Sequence, residues 1–212
     1  MKKLLLILFL ISAAGKINAQ WNFNVSMGLD FKSAPSFRDY VNYALASNQV
    51  ASFKSAVAFG SEIDYLIKPN FALGVEYNLQ IDSYNISSNT GGGNSEISYV
   101  HHRPSVLAYY VVPGNGYQFK FGGGVGYRYV AFTQKLMSTE NYSASGLGLL
   151  LRAAGNTLLS DHLYALIGAD IRYDFPGDIT RSGSPIVNPA TGNNVNLNSF
   201  SIGIYLGLTY QL

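Results

Sequence analysis

The strongest constraint in this sequence is a period-two alternation that recurs along most of the chain and keeps the strand charges in one phase. Eight segments carry it, at about 21–31, 57–67, 72–82, 97–112, 117–131, 146–156, 163–175 and 199–211. One phase is apolar: Trp21, Phe23, Val25, Met27, Leu29 and Phe31 in the first segment, Phe200, Ile202, Ile204, Leu206, Leu208, Tyr210 and Leu212 in the last. The opposite phase holds Asp30, Glu62, Asp64, Glu76, Asp82, Arg103, Lys120, Arg128, Arg152, Asp170, Arg172 and Asp174. Most segments approach or exceed the 9–11 residues that cross a bilayer on a tilt, whereas strands of water-soluble domains average five or six.

Alternation alone does not choose between a soluble sandwich, which hides its apolar face, and a membrane barrel, which shows it to lipid. The choice rests on the strand length, the order of the connections, the exported N-terminus and the aromatic content together. Lys68-Pro69-Asn70, Pro113-Gly114-Asn115-Gly116 and the Ser160-Asp161 region are tight turns, while 32–56, 83–96, 132–145 and 176–198 are long and polar. Long alternates with short, as in an antiparallel barrel with short periplasmic turns and longer outer loops. Residues 1–19 read as a secretory signal peptide, with Lys2 and Lys3 before an apolar stretch from Leu4 to Ile11 and small residues before Gln20. Residues 20–212 then form one domain.

Composition agrees: 48% of residues are hydrophobic and 14% aromatic, but only 12% are charged, about half the share in a soluble domain. No apolar run is long enough for a transmembrane helix. Loss of the leader removes three lysines and takes the formal charge from +2 to −1, which excludes the basic footprint of a nucleic-acid binder. Cysteine is absent, so disulfide and thiolate chemistry and a lipoprotein anchor are excluded.

The last strand ends Tyr205-Leu206-Gly207-Leu208-Thr209-Tyr210-Gln211-Leu212. In this the chain resembles the small outer-membrane barrels of the OmpA/OmpX-like type. Their terminal strand carries a glycine six places from the end and large apolar residues three from the end and at the end. Gly207, Tyr210 and Leu212 fill those places, with leucine where phenylalanine is common. The resemblance covers about 20–212 as a whole-barrel pattern. It implies a closed eight-stranded antiparallel up-and-down β-barrel, an outer-membrane location, recognition of the terminal strand by the barrel-assembly machinery, and lipid and lipopolysaccharide as surroundings. A monomer without cofactor or metal is the expectation. The peptidoglycan-binding domain of larger relatives has no counterpart here, so that activity is not carried over.

An eight-stranded barrel leaves a lumen just wide enough for side chains to fill it. Acids cluster on strands one to three and bases on strands four to six. This predicts a lumen ion-pair network of Asp30, Glu62, Asp64, Glu76, Arg103, Lys120, Arg128, Arg152, Asp170 and Arg172. Glu62, Glu76 and Arg152 lie at similar depth with Asp170 nearby, and pairing is required because an isolated buried charge costs several kcal/mol. Catalytic readings are weaker. Glu62 and Asp64 are better salt-bridge partners than an acid/base pair. Gly122-Gly123-Gly124-Val125-Gly126 lacks the helix of a phosphate loop. His101 and His102 face opposite sides and cannot share a metal. Ser105 lies on the face of His101 and keeps a lipid-modifying hydrolase as an alternative; a narrow channel for small or apolar molecules is another, and a soluble exported binder a third.

The first long loop carries a Ser36-Phe37-Arg38-Asp39 capping pattern, with Phe37, Tyr40, Val41, Ala44 and Leu45 at helical spacing. A short amphipathic helix is predicted, either as a lid or with Phe37, Tyr40, Val41 and Leu45 as a contact surface. Asp174, Asp178 and the asparagines of the last loop offer oxygen ligands to a hard cation, although a solvated loop is the simpler reading. Trp21, Tyr65, Tyr110, Tyr117 and Tyr210 are expected in one aromatic girdle, and Phe31, Tyr129, Phe175 and Phe200 in the other.

Overall fold

A computed structural model describes residues 20–45, 54–87, 94–135 and 138–212. The expected leader, 1–19, lies outside the described residues. Eight long strands make the wall: β1 (Trp21–Ser33), β2 (Lys54–Lys68), β3 (Phe71–Ser87), β4 (Asn94–Pro113), β5 (Tyr117–Lys135), β6 (Thr139–Ser160), β7 (Leu163–Phe175) and, after the two-residue strands β8 (Thr180–Arg181) and β9 (Ser184–Pro185), β10 (Ser199–Gln211). Each pairs antiparallel with its sequence neighbour, β7 pairs with β10, and β1 pairs with β10, closing the ring. Followed strand to strand around that ring, a β1 residue returns to β1 about ten positions further along. Such a stagger tilts the strands by about 35–45° to the axis.

The partition of side chains is inside out relative to a soluble protein. Along the outward rows the large apolar residues are exposed or half-buried, Val125 at 60% and Leu206 at 63%. In the lumen Asp64, Arg103 and Arg128 are each 0% exposed. Aromatic rings gather at both ends of the wall, with Trp21 and Tyr65 centroids 4.7 Å apart at the turn end and Tyr173 and Phe175 4.5 Å apart at the loop end.

The strands exceed the expected bounds at the loop end. β3 continues to Ser87, β4 begins at Asn94, β5 reaches Lys135 and β6 begins at Thr139, so much of the expected loops 83–96 and 132–145 is sheet. The reason is a change of surroundings. Beyond the aromatic ring at Tyr129 the outward positions are polar, such as Thr133 and Lys135, while Ile97, Tyr99, Val130 and Phe132 turn inward and are buried. The apolar phase inverts where the wall leaves the lipid-facing zone, and a search for one uninterrupted phase stops there.

A cation placed on the lipid-facing row is the direct check. Val125→Arg in mid-wall is expected to lower equilibrium unfolding stability in lipid vesicles by about 2–4 kcal/mol. An unchanged denaturant midpoint would mean that this row faces water.

Candidate functional site

The lumen is filled by three tiers of charge. At the turn end Asp64 accepts from Asn22 Nδ2 at 2.7 Å, Asn24 Nδ2 at 2.9 Å and Lys120 Nζ at 2.5 Å. The middle tier is built on Arg152. Its guanidinium donates to Glu62 Oε2 at 2.5 Å and Glu76 Oε1 at 2.6 Å, joining β2 and β3 to β6 across the axis, and to Asp170 Oδ1 at 2.7 Å on the neighbouring strand β7. Arg172 donates to Glu76 at 2.9 Å and to Asp170, Tyr109 Oη donates to Glu62 at 2.8 Å, and the Tyr205 ring lies 5.0 Å from the Arg152 guanidinium. In the upper tier Arg103 donates to Asp30 at 2.5 Å and Gln80 at 2.6 Å and lies 3.3 Å from Asp174, which Arg128 also engages.

All ten residues expected in a lumen network face the lumen, and the pairings above bring them into three groups rather than one. Asp174, Gln80, Tyr109, Asn22, Asn24 and Tyr205 complete those groups. Their inward parity was readable in the sequence; their partners were not, because parity fixes the face while the stagger fixes the depth. Glycines make the room. A Cβ at Gly148 would collide with Arg128 and Asp174, and one at Gly203 with Asp30. Cavities left in the lumen include one of about 20 Å³ beside Glu62 and Arg152 and one of about 10 Å³ beside Asp30 and Asp170, each water-sized.

Residues considered for catalysis are tied up by this network. Ser105 Oγ accepts from Arg128 at 3.1 Å, and His101 Nδ1 accepts from Arg103 Nε at 3.3 Å, so each is bound to an arginine. His102 faces outward and shares a 2.5 Å hydrogen bond with Tyr77. Glu62 and Asp64 are both engaged by cations. Among the described residues no group of His, Asp and Glu could hold a metal, and Asp178 accepts from Asn194 Nδ2 at 2.8 Å.

Above the charges sits an apolar cap. The helix α1 (Pro35–Tyr40) continues as a π-helical turn over Val41–Leu45. The expected capping box does not form: Ala34 stands at the N-cap, Pro35 starts the helix with its fixed φ, and Ser36 Oγ instead accepts from Asn196 N at 3.1 Å. Nor do Phe37, Tyr40 and Val41 offer a contact surface. They are 3%, 8% and 1% exposed and pack with Ile97, Tyr99, Val130, Phe132 and Ala144 of the wall and with Ile179, Val195 and Leu197 of the last loop. This inward turn follows from burial in water, where an apolar helix face seeks the nearest dry surface. The Leu45 side chain lies outside the described residues. Burial also pushes the Tyr40 phenol above its ordinary pKa. The last loop folds over the mouth through bridges from Ser143 to Thr180 and from Asp178 to Asn196.

At the chain terminus Tyr210 and Leu212 face outward, 46% and 61% exposed, while Gly207 faces the lumen. A Cβ at Gly207 would strike the Val25 carbonyl, so this glycine has a packing reason of its own on the β1–β10 seam.

By sequence, neither a family model nor a curated protein matches the chain. By structure it is similar to Neisserial surface protein A, with a TM-score of 0.56 at 10% identity over 92% of this chain and 99% of that one. It is also similar to Ail, the attachment invasion locus protein of Yersinia pestis, at 0.52 and 10% over 91% and 99%, in a structure with the heparin analogue sucrose octasulfate. A major outer membrane protein from Thermus thermophilus gives 0.52 at 16% over 91% and 99%. The fold is that of the small bacterial outer-membrane β-barrels, and the apolar outer wall with its aromatic ends fits a bilayer.

Arg152 is the test of the middle tier. Arg152→Met leaves Glu62 without a cation and Glu76 and Asp170 to Arg172 alone, and about 3–5 kcal/mol of unfolding free energy is expected to be lost. Arg152→Met combined with Glu62→Gln should recover part of it, since one stranded charge is removed. An unfolding midpoint insensitive to both would show that water, not Arg152, compensates the carboxylates.

Proposed function

We propose that the protein is a non-enzymatic integral outer-membrane barrel that conducts nothing and holds its long loops at the cell surface, in envelope integrity or surface interaction. The observation that carries this reading is the Arg152 tier, which spans the lumen from β6 to β2 and β3 with side chains at hydrogen-bond distance. A second barrier, the cap over the mouth, stands in series with it. To pass, a solute would have to separate ion pairs in a low dielectric, at several kcal/mol per charge.

The expected leader and the alternation of short and long connections support a barrel with its turns in the periplasm and its capped mouth outside. Lipid and lipopolysaccharide are then the surroundings of the apolar wall, the barrel-assembly machinery recognises the strand ending in Tyr210 and Leu212, and the barrel works as a monomer. Two of the similar structures are described as a surface protein and an attachment invasion protein, in keeping with display of loops. A lipid-modifying reading needs a nucleophile beside a base, and Ser105 and His101 are both held by arginines.

Planar-bilayer recording of the refolded protein tests the proposal. No stable conductance steps above the bare bilayer are expected. Steps of porin size in the wild-type barrel would overturn it.

A further inference from the structure

Between its two aromatic ends the lipid-facing wall carries no Asp, Glu, Lys or Arg among the described residues, and one basic side chain, His102 of β4. A basic group turned to lipid is costly unless it has a polar partner. Tyr77 of β3 supplies one, with Oη 2.5 Å from His102 Nδ1, and on the other flanking strand the Tyr129 ring lies 5.8 Å from the imidazole. Both tyrosines are themselves exposed on the wall, at 46% and 40%. The His102–Tyr77 pair is one acceptor short. If the phenol donates to Nδ1, the ring proton sits on Nε2 and that N–H is left over; if Nδ1–H donates, the phenol O–H is left over. Acyl chains accept no hydrogen bond, whereas phosphates at the edge of the hydrocarbon accept strong ones. His102 pairs in the register with Tyr129, which stands in the aromatic ring at the loop end, so the spare donor sits at that edge.

Below this donor the wall is hollowed. An apolar trough of about 730 Å³ opens on the outer face and crosses the strands. The register sets Ala108, Gly123 and Leu151 in one row of it and Val106, Val125 and Leu149 in the next. Its floor is Gly123, which has no side chain, beside Ala108. Wall packing demands this glycine less than its neighbours: a Cβ at Gly122 or Gly124 would strike the Ala108 or Val106 carbonyl, while one at Gly123 finds its nearest atoms, Leu150 O and Leu151 Cδ2, at 3.1 Å. His102, Val106 and Ala108 share the outward face of β4. The six residues from His102 to Ala108 cover about 20 Å of strand, or about 15 Å of depth at the tilt of the wall. That is half of a hydrocarbon core of about 30 Å, the reach of one leaflet. A spare donor at the lipid edge, with an unfilled trough one leaflet's depth below it, matches the two ends of one amphipathic molecule.

We propose that this face of β3 to β6 binds one acylated, phosphorylated glycolipid of the outer leaflet, with its phosphate on His102 and Tyr77 and an acyl chain in the trough at Ala108 and Gly123. The proposal rests on the orientation given above, with the loop end outside, and adds a defined site to lipid that otherwise only surrounds the wall. Native mass spectrometry of the refolded full barrel tests it, with diphosphoryl lipid A, its dephosphorylated form or phosphatidylglycerol added in detergent. One diphosphoryl lipid A retained per barrel is expected, with each of the other two held about tenfold more weakly. The double variant His102→Phe, Tyr77→Phe, which removes the spare donor, and Ala108→Leu, which fills the trough, should each lower retention about tenfold while still shifting on a gel when heated. Tyr110→Phe, at the turn end of the same strand, should leave it unchanged. Equal retention of the three lipids, or retention that neither the double variant nor Ala108→Leu reduces, overturns the proposal. So does a dimer mass that Ala108→Leu abolishes, which gives the trough to a second copy. The assay needs no bilayer, so conductance steps would overturn the surface reading and leave this retention in place.

Discussion

Lipid offers no partner to a backbone N–H or C=O, and the rest of this structure follows from that. Eight strands can satisfy every internal ladder only by closing on themselves, and the β1–β10 seam does so from Asn22 to Ser33. Closure at this strand number gives a lumen too narrow for a water column, and lipid outside leaves charged side chains nowhere to go but in. The acids of β1 to β3 and the bases of β4 to β6 therefore meet across the axis. Arg152, with three carboxylates around one guanidinium, is where that meeting is tightest. Rigidity is a by-product: the pairs of Arg152 with Glu62 and Glu76, of Lys120 with Asp64 and of Arg103 with Asp30 tie together strands that are not neighbours in the sheet.

The wall lives in two solvents. In the lipid-facing zone the dry side is outside; beyond Tyr129 water surrounds the wall and the dry side moves to the axis. The first and last long loops use the second regime. Their apolar residues drop into the mouth, and Ser36 with Asn196 links the two loops directly. What the described parts of these loops present outward includes the Arg38–Asp39 pair at 2.6 Å together with the exposed Tyr43 and Val187.

Much of this was legible in the sequence. Parity placed Asp30, Glu62, Arg103 and Arg152 inside and Val25, Phe59 and Leu206 outside, because the pleat gives each strand residue one of two faces and lipid makes the choice unambiguous. Depth was readable only where two short turns gave a common origin, as for Glu62, Glu76 and Arg152. The upper tier, in which Arg103 reaches Asp30 and Asp174, depends on the stagger of the whole ring, which no local pattern encodes. The first loop was read as helical for a sound reason and with the wrong start: Ser36 had the right chemistry for a cap, but Pro35 began the helix one residue earlier. The burial of Phe37, Tyr40 and Val41 was missed because their cover is Ile179, Val195 and Leu197, more than 130 residues away along the chain. Gly207 illustrates a third case, in which a residue matched to a terminal-strand signature also has a steric reason to be glycine.

The central claim is the partition of faces, and the absence of cysteine makes it directly measurable. Spin labels placed one at a time at Ile202, Ile204, Tyr205, Leu206 and Leu208 on β10 of the vesicle-embedded barrel would report collision with oxygen, which concentrates in lipid, against a water-soluble nickel chelate. The account predicts oxygen-dominated collisions at Ile202, Ile204, Leu206 and Leu208 and protection from both reagents at Tyr205, where the label replaces a ring that already fills the lumen. Nickel-dominated collisions along the first set would contradict it.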